Sequence, residues 1–181
     1  MQSEIATVAD AKPLSDLVNA AYRGAGGRRG WTHEAELISG ERVRSRDVAA
    51  MISDGSTTVL VRRSDNRPAL LGCVAVEVGG TSHCTISMLA VAPELQAAGL
   101  GRSLLADAEQ LAADKGATIA KITVVQQREA LIAWYERRGY RRTGSYEAFP
   151  YGDDSVGIPL RSDLQFVLLE KEMIHGARIS T

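Results

Sequence analysis

Two stretches of the chain hold residue types that carry chemistry. The first is Met88-Leu89-Ala90-Val91-Ala92-Pro93-Glu94-Leu95-Gln96-Ala97-Ala98-Gly99-Leu100-Gly101-Arg102-Ser103. It reads as a strand ended by a proline, then a glycine-bearing turn, then the start of an amphipathic helix. Gly99 and Gly101 let a ligand approach the backbone with no Cβ in the way. The first N–H groups of the new helix have no partner inside it, so they form an anion site that suits a pyrophosphate. The same pattern also serves a plain tight connection between strand and helix. Two nucleotide motifs are excluded: Arg102-Ser103 follow Gly101 where a Walker loop needs Lys-Ser/Thr. Leu104 stands where a dinucleotide fingerprint needs its third glycine. The second stretch, Val124–Tyr140, sets Arg128 ahead of a helix that carries Trp134 and Tyr135 and stops at Gly139. Tyr135 is a candidate proton donor or a ring packed on a sheet.

Around these stretches the pattern predicts a strand at Glu4–Val8 and a helix over Ala11–Tyr22 with Asp10 as its N-cap. Arg23–Gly30 reads as a mobile loop, and Arg44–Ser53 as a second helix. Strands follow at Thr57–Arg63, Ala69–Val78 and Ser82–Val91. From Gly101 to Lys115, Leu104, Leu105, Ala108, Leu111 and Ala112 fall on one helical face. Thr118–Val125 is a strand, Glu129–Arg138 a helix, Tyr140–Phe149 a strand, and Asp163–Met173 the last strand. Phe149–Ser162 reads as a loop, and the tail after His175 as frayed. The expected architecture is α/β: one mixed, largely antiparallel central sheet of about seven strands, flanked by about four helices, in a single domain spanning 1–181.

Composition narrows the functions. With 21 Lys plus Arg against 22 Asp plus Glu, the net charge is −1, which gives no drive toward non-specific nucleic-acid binding. The arginine-glycine loop 23–30 lacks interleaved aromatic residues, so a role on RNA is not expected. No apolar run approaches the ~18 residues that span a bilayer, and the N-terminus carries no secretory signal. Two cysteines make no disulfide framework, and a reducing cytoplasm is the expected location. His33, His83 and His175 show no metal-ligand spacing.

Taken together, the two stretches resemble the GNAT superfamily of acetyl-CoA-dependent N-acyltransferases. Gln96-Ala97-Ala98-Gly99-Leu100-Gly101 matches that family's Q/R-x-x-G-x-G/A loop, and Tyr135-Glu136-Arg137-Arg138-Gly139-Tyr140 matches its Y-E-x-x-G-F/Y helix end. The resemblance covers about Ile5 to Met173. It implies transfer of an acetyl group from acetyl-CoA to a primary amine of a small molecule or peptide, with homodimerisation as a family habit. It also implies that the backbone of Leu89, Ala90 and Val91 holds the pantetheine arm, and that the amides from Ala97 to Ser103, with Gln96 beside them, hold the pyrophosphate. Tyr135 then protonates the departing thiolate. The chain departs from the family at Arg128, where an asparagine is common. An arginine there has the reach for cofactor phosphates or a substrate carboxylate. A non-catalytic acyl-CoA sensor on the same fold is the alternative.

Such chemistry needs a neutral amine, and an amine of pKa about 10.4 is only about 0.04% neutral at pH 7. A base or a water chain must take the proton. The named candidates are Glu77, His83, Glu34 and Glu36, beside a water relay. A two-residue loop at Gly79-Gly80 would set Glu77 opposite Ser82 and Val76 opposite His83, so that Glu77 and His83 lie on opposite faces of the sheet. The same register sets Cys73 and Cys84 diagonally, about 7–8 Å apart, as buried thiols too distant to bridge easily. The loops Arg23–Glu36 and Phe149–Ser162 are the expected seat of acceptor specificity.

Overall fold

Leu14, Leu17, Val18 and Ala21 recur on one side of α1 (Ala11–Arg23) and are buried, as a helix lying on a sheet requires. The computed structural model describes residues 2–24, 30–65, 67–80, 82–96 and 98–173. Among these residues nine strands and four α-helices follow in order. They are β1 (Glu4–Ile5), α1, β2 (Ile38–Ser39), α2 (Ser45–Asp54), β3 (Thr57–Ser64), β4 (Arg67–Gly79) and β5 (His83–Val91). Then come α3 (Leu100–Asp114), β6 (Ile119–Val125), α4 (Glu129–Glu136), β7 (Arg141–Ala148), β8 (Ile158–Pro159) and β9 (Gln165–Glu172). Seven strands form one sheet in the order β1-β3-β4-β5-β6-β9-β7, and β2 with β8 forms a small second sheet. Every neighbouring pair is antiparallel except β5–β6.

The sheet is covered on both faces. Leu14, Val18 and Val48 of α1 and α2 pack with Val61, Cys73, Ala75 and Met88. On the other face Leu104, Leu105 and Ala108 of α3 and Ile132 and Tyr135 of α4 pack with Val74, Val76, Ile122 and Leu169. This is the mixed sheet with four helices that the pattern predicts. The β2–β8 pair was not foreseen and lies partly inside the stretch 149–162 read as loop. Asp10 precedes α1, but its carboxylate turns back to accept from the Thr7 amide at 2.8 Å and to meet Arg63 at 2.9 Å rather than capping that helix.

The β4–β5 register differs from the expected one. Gly79 pairs with His83, Val78 with Cys84, Glu77 with Thr85 and Val76 with Ile86. The turn therefore takes one residue more than a two-residue loop, with Gly80 at φ +64°, a conformation glycine adopts without strain. The three-residue slip exchanges faces. Glu77 and His83 now share one face, and the cysteines are separated. Cys84 belongs to the α3 side and Cys73 to the α1 side, both as free buried thiols.

Two irregularities open the sheet. Ala75 pairs with Ser87 and Cys73 with Ala90, so Met88 and Leu89 together oppose Val74. This is a β-bulge, and Met88 adopts φ +51°, a conformation costing an L-residue about 1–2 kcal/mol. Such strain concentrates at functional sites. Beyond the bulge the burial of β5 changes face: Ile86 lies in the α3-side core, Met88 and Ala90 in the α1-side core. The parallel pairing of β5 with β6 runs only from His83↔Ile119 to Thr85↔Lys121. Past that point the two strands part.

Candidate active site

The wedge between β5 and β6 contains two cavities that meet at the bulge. The larger, about 410 Å³, is lined by Leu89 and Val91 of β5, Gly99, Gly101 and Arg102 at the start of α3, and Ala130, Leu131, Trp134 and Tyr135 of α4. Tyr22, Trp31, Thr32, Gln96, Arg128, Arg137 and Arg138 complete it. The smaller, about 100 Å³, is lined by Ile86 to Leu89, Ile122 to Val125, Ile38, Phe149, Val156 and Phe166, with Glu34 and Arg42. Tyr22, Leu89, Arg128, Leu131 and Tyr135 line both, so they form the wall between the two.

One end of the larger cavity is built for anions. Gly99 has φ +84° and turns the chain into α3, whose first internal bond runs from Ser103 N to Gly99 O at 3.1 Å. The amides of Leu100, Gly101 and Arg102 precede that bond and carry the positive end of the helix dipole. Arg102, Arg137 and Arg138 stand around the same end. The Arg138 guanidinium lies 3.5 Å from the Trp134 ring centroid and donates to the Trp134 carbonyl at 2.6 Å, while its buried Nε has no partner. Burial lowers the Arg138 pKa from its ordinary value, and the neighbouring positive charges of Arg137 and Arg102 lower it further. Three guanidiniums and a helix N-terminus fit the phosphates of a nucleotide-bearing ligand.

The wall holds the candidate chemistry. Tyr135 is buried, its ring edge-on to Trp134 and Tyr140. Burial, reinforced by Tyr22, raises its pKa well above that of a free phenol, so it keeps its proton at neutral pH. Tyr22 donates to the Leu89 carbonyl at 3.1 Å and so ties α1 to the bulge. Gln96 donates from one amide nitrogen to Thr32 Oγ1 at 2.9 Å and to the Val91 carbonyl at 3.1 Å. A Cβ on Gly30 would lie 2.2 Å from its Oε1, so a side chain there would have to displace the Gln96 amide.

Arg128 does not reach toward phosphates. It pairs with Glu34 at 3.0 Å, donates to the Thr32 carbonyl, and lies 5.6 Å over the Tyr22 ring. The other Glu34 oxygen meets Arg23, which also donates to the Val156 carbonyl at 2.9 Å. Glu34, Arg23 and Arg128 side chains are only 5%, 6% and 8% exposed, so the triad is a buried clamp. Each oxygen of Glu34 accepts from a guanidinium.

The structure thus gathers Leu89, Val91, Gln96, Gly99, Gly101, Arg102, Arg128 and Tyr135 around one cavity. The side chain of Ala90 packs in the α1-side core, Ala98 is exposed, and Leu100 packs against the α3-side core. Ser103 turns its hydroxyl to Arg62 at 2.8 Å, and its amide is already inside the helix. Ala97 and the loop positions 25–29 lie outside the described residues, as does the tail from 174. Glu77 is exposed, pairs with Thr85 at the far side of the bulge and lines neither cavity. His83, at Ser82 Oγ (3.0 Å), is equally remote, and Glu36 is exposed. Sequence reasoning missed Tyr22, Arg23, Arg42, Arg137 and Arg138. Only the Arg137-Arg138 pair, adjacent to the recognised helix end, offered a signal.

The chain matches the acetyltransferase (GNAT) domain family over residues 31–149. Among solved structures it is similar to nourseothricin acetyltransferase, at 24% identity and TM-score 0.56 over 66% of each chain. It is similar to the PaiA N-acetyltransferase of Thermoplasma acidophilum in complex with coenzyme A, at 17% identity and TM-score 0.69 over 96% of this chain and 100% of that one. A GNAT family acetyltransferase of Elizabethkingia anophelis with acetyl-CoA bound is similar at 20% identity and TM-score 0.53, over 65% of this chain and 77% of that one. No curated protein matches the chain in sequence. The chain belongs to the GNAT acetyltransferase family and is an acyltransferase. No described helix is long and apolar enough to cross a membrane.

Proposed function

We propose that the chain is a single catalytic domain that transfers an acetyl group from acetyl-CoA to a primary amine, by direct attack in a ternary complex. The observation that carries this is the wall of Tyr135, Leu89 and Tyr22 standing between an anion-binding cavity and a second, smaller one. The larger cavity suits CoA: the α3 amides and Arg102, Arg137 and Arg138 hold phosphates, and Leu89 and Val91 flank the arm. When bound, acetyl-CoA supplies an activated thioester. The amine enters from the smaller cavity, on the side of Ile86, Phe149 and Phe166.

Each step then has a residue. The bulge at Met88 and Leu89 breaks the β4–β5 ladder and presents backbone to the wedge, where an N–H can meet the charge that develops on the carbonyl oxygen. Tyr135, kept protonated by burial, gives its proton to the departing thiolate. Glu34 is the one carboxylate among the described residues lining the two cavities, and it is committed to two arginines. The amine proton therefore leaves through water rather than to Glu77. Thermal unfolding with millimolar acetyl-CoA tests the cofactor site, since a ligand of the folded state alone stabilises by mass action. Thiol release against a panel of amines tests transfer. A shift in melting with amine-dependent release is expected. A shift without release leaves the acyl-CoA sensor in place of the enzyme, and no shift removes the cofactor site.

A further inference from the structure

The smaller cavity has an unbalanced charge. Arg42 lines it, half-buried, with its guanidinium 5.7 Å over the Tyr22 ring. No carboxylate among the described residues pairs with it, whereas Arg23 and Arg128 share Glu34. Of the residues lining this cavity, two guanidiniums, Arg42 and Arg128, stand against the one carboxylate of Glu34, which leaves it net positive. Ser87 and Thr123 also line it, beside an apolar group of Ile38, Ile86, Val125, Phe149, Val156 and Phe166. Arg42 and Arg128 both lie over the same ring whose hydroxyl holds Leu89 at the bulge. Arg42 is thus one phenol ring away from the backbone where transfer would occur.

From this arrangement we infer that the acceptor is an amino carboxylate with an apolar body, its carboxylate held by Arg42 and its amine directed at the bulge. The inference rests on the transferase reading above and names its substrate class. A guanidinium presents paired N–H groups that match a carboxylate. A net positive pocket repels a second ammonium, so di- and polyamines are selected against. The apolar part of the lining favours a hydrocarbon side chain, kept small by a cavity of about 100 Å³, and strengthens the ion pair by keeping water away.

The test uses two pools of primary amines matched one to one: small apolar amino carboxylates, and the same compounds without the carboxylate, with linear polyamines added to the second. Thiol release from acetyl-CoA is followed with the parent protein and with Arg42→Ala and Arg42→Lys. The carboxylate pool is expected to react with a kcat/KM on the order of 10- to 100-fold higher, the range of a charge-assisted hydrogen bond. Arg42→Ala should lower kcat/KM for the carboxylate pool far more than for the decarboxylated pool and so abolish that preference, while acetyl-CoA still shifts the melting curve. Arg42→Lys should restore part of it. Equal or faster release from the decarboxylated pool, or a preference that survives Arg42→Ala, overturns the assignment but leaves the transferase standing. Release from neither pool, with acetyl-CoA still stabilising the fold, removes amine transfer itself and this assignment with it.

Discussion

Replacing Glu34 by glutamine probes the clamp that joins α1, the segment 30–34 and α4. In the parent, one carboxylate neutralises part of the charge of Arg23 and Arg128, and all three side chains are less than a tenth exposed. Burial already lowers the Arg23 pKa from its ordinary value, with Glu34 acting against that shift. Glu34→Gln leaves two buried cations without a counter-charge and turns an amide donor toward a guanidinium donor. Removing one partner of a buried ion pair costs about 3–5 kcal/mol. For a chain of this size that corresponds to a fall in Tm of about 6–20 °C. Thr32 and Arg128 also line the larger cavity, so KM for acetyl-CoA should rise alongside. Differential scanning fluorimetry measures the first effect and initial-rate kinetics the second. The double variant Glu34→Gln with Arg128→Gln, which removes one of the stranded charges, should lose less than the sum of the two single changes. A Glu34→Gln protein that melts within about 2 °C of the parent would refute the reasoning, because it would mean water already screens the three groups.

Three further outcomes follow from other residues. Tyr135→Phe should lower kcat by about 100-fold or more with little change in KM, as loss of a general acid requires; a kcat within twofold of the parent excludes that role. Gly30→Ala should destabilise by about 1–3 kcal/mol, since the new methyl would meet the Gln96 amide at 2.2 Å; an unchanged melting curve would show that Gln96 simply moves. Burial pushes the Cys73 thiol up from 9.0 to about 12. The unfolded chain therefore gives up that proton first as pH rises, and the stability present below pH 9 is lost between pH 9 and 12. Cys73 should add about 1.4 kcal/mol per pH unit to the slope of urea unfolding across that window, beside a contribution of the same sign from Cys84, whose thiol burial pushes up to about 11, and Cys73→Ala should reduce the slope by that share.

The elements were legible because their stops and periods are local. Glycines after helices, the helical face from Leu104 to Ala112, and apolar runs bounded by turn residues and Pro93 in β3 and β5 set the types and most bounds. The β4–β5 register was not, because Gly79-Gly80 is the usual dipeptide of a two-residue turn, and the fold uses only Gly80 for the bend. The burial alternation decided instead, setting Val76 against Ile86 and Val78 against Cys84. The bulge was equally silent: Met88 to Ala92 is apolar throughout, and such a run does not say which residue faces which side. In the site, the glycine loop and Tyr135 announced themselves by spacing. The clamp did not, because Glu34 and Arg128 are 94 positions apart, and nothing in either neighbourhood names the other.

The parting of β5 from β6 has a consequence for how the protein breathes. Those strands share ladder pairs over just three positions each, from 83 to 85 and from 119 to 121, so the sheet is fastened at one end of the seam and open at the other. A bound pantetheine arm would lie in that gap much as an added strand does, and the protein's weakest line would become one of its best protected. Amide hydrogen exchange should therefore report occupancy directly. The amides of Leu89 and Val91, on the gap side of the strand, should exchange quickly in the free chain and slow markedly once the gap is filled, while Ala90, paired with Cys73, and Val74 and Val76 in the neighbouring strand barely change. The opening that admits substrate is in this sense an unfinished part of the fold.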